Sequence, residues 1–136
     1  MSNIRVNLDS VQVVEDQGIS EGDFELRVQV QEGSHNVVWP ALNGWEKVDR
    51  NGPPASVNQT VAIYPVSSGK LTKAFKVNLT EVDGGFNGAD DTGTGDITMD
   101  LTPDMAPAFV SKTISLNRPN GKDAGKVKVT LVAQRI

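Results

Sequence analysis

Strict period-two alternation constrains this chain more than any other feature. Phe24-Glu25-Leu26-Arg27-Val28-Gln29-Val30-Gln31 places apolar side chains on even positions and polar ones on odd positions. Successive side chains of a strand point to opposite faces, so this segment buries one face and wets the other. Ile4-Arg5-Val6-Asn7-Leu8 alternates in the same way, and Val11-Gln12-Val13 resumes after a slip at Asp9-Ser10. That slip predicts a bulge or bend within one long strand.

The rest of the chain repeats the pattern in shorter pieces. Val37-Val38-Trp39 and Trp45-Glu46-Lys47-Val48 are short strand candidates beside Pro40 and Gly44. Asp49-Arg50-Asn51-Gly52-Pro53-Pro54 predicts a turn, and Val57 to Tyr64 a strand closed by Pro65. Further strands are predicted over Ala74 to Thr80, Ile97 to Leu101, Val110 to Leu116 and Val127 to Val132. Pro103 and Pro107 disfavour a long helix between the third- and second-last of these. The connections are too short for the crossover helices that a parallel sheet needs. The expected fold is all-β, an antiparallel two-sheet sandwich of about eight strands forming a single domain over residues 1–136.

Composition narrows the function. With 13 Gly, 7 Pro and no Cys, the chain suits many turns and excludes disulfides, thiolate metal sites and thiol nucleophiles. A net charge of −4 with scattered Lys and Arg argues against nucleic acid as a partner. No apolar run reaches the roughly 20 residues of a membrane-spanning helix. Met1-Ser2-Asn3-Ile4-Arg5 has no signal-like basic and apolar regions, so the expectation is a cytoplasmic protein or part of an assembled particle.

Two acidic loops carry the most chemistry. Glu81-Val82-Asp83-Gly84-Gly85-Phe86-Asn87-Gly88-Ala89-Asp90-Asp91-Thr92-Gly93-Thr94-Gly95-Asp96 combines carboxylates with glycines, and Glu15 to Asp23 does so on a smaller scale. Calcium takes six to eight oxygen ligands at about 2.3–2.6 Å, which a flexible acidic loop can supply. Asp and Gly also populate ordinary turns, because they tolerate unusual backbone angles. The catalytic alternatives have little to work with. His35, the single histidine, lies in the turn-like Glu32-Gly33-Ser34-His35-Asn36 and is read as an exposed loop residue.

This layout resembles the calcium-binding C2 and C2-like sandwiches. The resemblance makes Glu81-Val82-Asp83 the acid-x-acid pair at a strand end, Asp91 the later acid, and Gly93 or Gly95 the glycine opening the next strand. Asp16 and Asp23 would come from the earlier loop, and Asp90 would join the set. The resemblance implies calcium as cofactor and a non-enzymatic binding role. Its loop tips lack basic and bulky apolar residues apart from Ile19 and Phe86, so membrane binding is not expected. The alternative from a different class is a structural subunit of a virion or contractile tail, binding another protein or itself. A carbohydrate-binding module is a third reading, resting on Trp39 and Trp45, which equally suit core packing.

Overall fold

The computed structural model describes residues 1–15, 24–49, 52–82, 90–121 and 123–136. Strands account for its regular structure: β1 (Ser2–Glu15), β2 (Phe24–Glu32), β3 (His35–Trp39), β4 (Glu46–Val48), β5 (Ala55–Val66), β6 (Leu71–Glu81), β7 (Asp91–Leu101), β8 (Ala108–Asn117) and β9 (Asp123–Arg135). Among the described residues there is no helix. All pairings are antiparallel, in the order β3-β2-β6-β7-β8-β9-β1-β5, with β4 also on β2 beyond the end of β3.

The sheet is nearly closed into a barrel. Its interior is built by one parity of each strand: Ile4, Val6 and Leu8 of β1, the even positions of β2, Phe75, Val77 and Leu79 of β6, and Val127, Val129 and Leu131 of β9 are buried. Each inward aliphatic side chain removed from water contributes about 1.5–3 kcal/mol, which is how a chain without disulfides holds itself together. The expected slip in β1 is present. Both of its ladders shift register between Leu8 and Ser10: against β9 Asp9 is the extra residue, whereas against β5 the extra residue lies on β5, where Val57 and Asn58 face Asp9 alone.

The ring is incomplete at two places. Along its whole length β7 pairs with β6, from Leu71↔Leu101 to Glu81↔Asp91, yet it exchanges only Thr92↔Asn117 with β8. The end strands β3 and β5 meet through side chains. The rings of His35 and Tyr64 contact edge-on at 5.4 Å, and Tyr64 meets Phe75 at 6.3 Å. Tyr64 donates its hydroxyl hydrogen to Glu32, Lys73 Nζ lies 3.8 Å from the same carboxylate, and that ammonium sits 5.2 Å from the Tyr64 ring centroid. Burial, reinforced by the Glu32 charge, holds the Tyr64 phenol well above its ordinary pKa.

Three sequence readings need correction. His35 opens β3 and is half-buried against Tyr64, because the turn at Gly33 and Ser34 is tighter than the sequence suggested. Pro65 does not close its strand. It pairs with Asn3 inside β5, which ends the strand order and so has an edge where a missing N–H is tolerated. The acid-glycine stretch is not all loop, since Asp91 to Asp96 belongs to β7.

Candidate functional site

Why a segment as rich in glycine as Asp91-Thr92-Gly93-Thr94-Gly95-Asp96 forms a strand is a matter of space. A Cβ on Gly93 would lie 2.3 Å from the Ser115 carbonyl oxygen, and one on Gly95 would lie 3.1 Å from Ile114 Cγ1. The strand β8 therefore passes directly over the inward face of β7, and at Gly93 only a residue without a side chain permits the approach. The glycines expected to open the next strand instead lie within it, two and four residues after its start.

Strand register fixes where the acids lie. Glu81 ends β6 and sits opposite Asp91, the first residue of β7; Leu26 of β2 flanks Glu81 on the other side. Directly opposed residues have Cβ atoms about 4.5–5.5 Å apart, so these two carboxylates are neighbours. Asp91 is 8% exposed, the one buried charged residue among those described, while Asp90 is exposed beside it. Val82 N–H donates to the Glu25 carbonyl at 2.7 Å, tying the base of the β6–β7 connection to β2.

The earlier acidic loop leaves from the same end. Its flanks are Glu15 of β1 and Phe24 of β2, and Phe24 lies two residues from the Leu26↔Glu81 pairing. Gly125 draws these flanks together: at φ +117°, a Cβ there would meet the Glu15 carbonyl oxygen at 2.6 Å and the Phe24 ring at 3.0 Å. Asp16, Asp23 and Asp83 lie outside the described residues. Among the described residues, no three His, Asp or Glu side chains gather closely enough to hold a metal ion. Glu81 and Asp91 thus supply an adjacent pair, and a full calcium shell would need loop carboxylates or carbonyls in addition.

Next to this end, the divergence of β7 from β8 opens a groove of about 920 Å³, whose lining combines outward polar residues with the inward Leu79, Gly93 and Ile114. Asn78, Thr80, Thr92, Thr94, Ser115 and Asn117 line it, with Lys112, Arg118 and Asp90 as its charged members. Apart from Asp90, sequence reasoning assigned none of these residues to a site. Alternation assigns Asn78 to the wet face, while Thr92 and Thr94 fell in the expected acidic loop, and neither reading says which wet faces become neighbours. Asn78 is the case in point. Its amide donates to Gln29 Oε1 at 3.2 Å and accepts from Thr94 Oγ1 at 3.1 Å.

The tryptophans part company. Trp39 is half-buried against the core opposite Val28, and Trp45 is 45% exposed in the β3–β4 connection. A scan against protein-family models finds no match, and no curated protein matches the sequence.

Proposed function

We propose that this domain is a non-enzymatic binding module whose loop end takes calcium. The observation that carries the reading is the register that sets Glu81 against Asp91 at the base of one acidic connection, with the flank of the other at Phe24 next to it. Like charges directly opposed in a sheet are destabilising, and a divalent cation relieves that repulsion. The ligand set would draw Glu81, Asp83, Asp90 and Asp91 from one side and Asp16 and Asp23 from the other. Bound calcium would neutralise the carboxylates and tie the two loops together. In this reading the fold is a C2-like sandwich, its sheets parting at β7–β8 and at β3–β5.

The test is thermal unfolding of chelator-treated protein with and without calcium. Occupancy at 100 times the dissociation constant adds about 2.7 kcal/mol of stability. The Asp83→Asn/Asp91→Asn variant, first shown by circular dichroism to be folded, is expected to lose the calcium response. An unchanged transition at millimolar calcium sinks the reading.

A second reading, a subunit of a larger assembly, is favoured by the outward face of β8-β9-β1-β5. Phe109 stands 64% exposed opposite Val132, and Ile63 48% exposed opposite Arg5. Between them Arg5 Nε and Asn7 Oδ1 are buried without a hydrogen-bond partner. Sedimentation decides it: oligomers that Phe109→Ser disperses support this face as a contact, and a monomer at every concentration in both proteins removes self-assembly.

A further inference from the structure

We propose that the groove between β7 and β8 binds an extended acidic oligosaccharide. A second, smaller recess of about 140 Å³ lies on the outward face, lined by Arg27, Gln29, Val38 and Leu42. Asn78 and Thr80 line both, so the two adjoin, and a chain laid from one to the other would cross β2, β6, β7 and β8.

The floor of this path is a chain of oriented polar side chains. Gln29 Nε2 donates to Asn36 Oδ1 at 3.0 Å, Asn78 Nδ2 to Gln29 Oε1 at 3.2 Å, and Thr94 Oγ1 to Asn78 Oδ1 at 3.1 Å. Holding amides and hydroxyls in place before a ligand arrives removes part of the ordering cost of binding. These groups sit on adjacent strands about 4.7–4.9 Å apart, close to the length of a single sugar ring. Amides and hydroxyls both donate and accept, which is what a polyhydroxylated chain demands of its site.

Charge specifies the acid. Lys112, midway along β8, and Arg118, just past its end, line the larger groove, Arg27 lines the smaller recess, and Asp90 is the one carboxylate among the lining residues. That cationic balance sits on a chain of net charge −4, so it is local. An extended peptide fits less well. Sheets take peptides at open strand edges with pockets for alternate side chains, and this path runs across the strand faces over hydrogen-bonding groups.

The test uses the full isotope-labelled chain in chelator, so that calcium plays no part and the outcome is separate from that of the calcium reading. Amide shifts are followed on titration with hexagalacturonate, neutral maltohexaose and hexaglutamate. Hexagalacturonate is expected to move the amides of Asn78, Thr92, Thr94 and Ser115, to bind at least about tenfold more tightly than maltohexaose, and to lose about tenfold in affinity in the Lys112→Gln/Arg118→Gln variant. Thr94→Val, an exposed change that keeps volume and removes the hydroxyl, is expected to weaken it without altering the fold. Shifts of equal size with hexaglutamate, equal affinity for maltohexaose, unchanged affinity in the charge variant, or no shift with either sugar would each overturn the proposal.

Discussion

Gly93→Ala is expected to destabilise the domain by about 2–3 kcal/mol, a large share of the roughly 5–15 kcal/mol that holds a typical domain folded. The added methyl would sit 2.3 Å from the Ser115 carbonyl oxygen and 3.1 Å from its carbonyl carbon. Backbone of a paired strand cannot swing aside as a side chain can. β8 would have to lift, loosening the Thr92↔Asn117 pairing that is its one link to β7. Gly95→Ala provides the comparison. Its nearest neighbours are Ile114 side-chain atoms at 3.1 and 3.3 Å, which can adjust, so the loss should stay near or below about 1 kcal/mol. Urea denaturation reads both, as a fall in midpoint at unchanged slope. Equal losses at the two positions would mean that β8 does not rest on the Gly93 backbone.

Tyr64→Ala should cost about 3–5 kcal/mol, the usual loss for emptying a buried aromatic site. The ring is 6% exposed and joins His35 of β3 to Phe75 of β6 across the β3–β5 seam. Tyr64→Phe isolates the hydroxyl. It withdraws a donor from Glu32, whose side chain is 16% exposed, leaving Lys73 at 3.8 Å as the remaining partner, for a loss of about 1.5–3 kcal/mol. The wild type carries a further signature. Because the folded phenol is held above its unfolded value of about 10, its contribution is complete below that pH. Above it the unfolded chain ionises while the native one keeps its proton, so stability falls as pH rises, by up to about 1.4 kcal/mol per unit. Tyr64 is the single tyrosine. Its phenolate absorbance should therefore appear together with alkaline unfolding, and phenolate formed in folded protein would refute the buried pairing with Glu32.

The fold was legible where local pattern and final environment agree. Phe24 to Gln31 declared a strand and its buried face, and the slip at Asp9 declared a bulge, because both are consequences of residue order alone. β7 was half-read, for a reason that lies elsewhere in the chain. Gly93 and Gly95 look like loop residues until β8 is laid across them, and nothing near them in sequence mentions Ser115. His35 was misplaced on similar grounds, since its partner Tyr64 comes from a strand at the far end of the sheet order. At the acidic end, the sequence located Glu81, Asp90 and Asp91 but not the opposition of Glu81 to Asp91, which depends on hairpin register. The groove residues other than Asp90 escaped, because a wet face becomes a groove only when strands diverge.

The pairing of β1 with β9 carries a consequence for synthesis. Ile4 pairs with Arg135, and Ile136 N–H donates to the Asn3 carbonyl at 3.0 Å, so the first strand waits for the last. Contacts that span nearly the whole chain are slow to form, since closing so large a loop precedes any reward from it. On the ribosome β1 can take β5 as a partner early, but one of its edges and one of β8 stay bare until β9 emerges. That interval is when this domain is most open to pairing with a neighbouring chain, and a pause in translation before Asp123 would lengthen it.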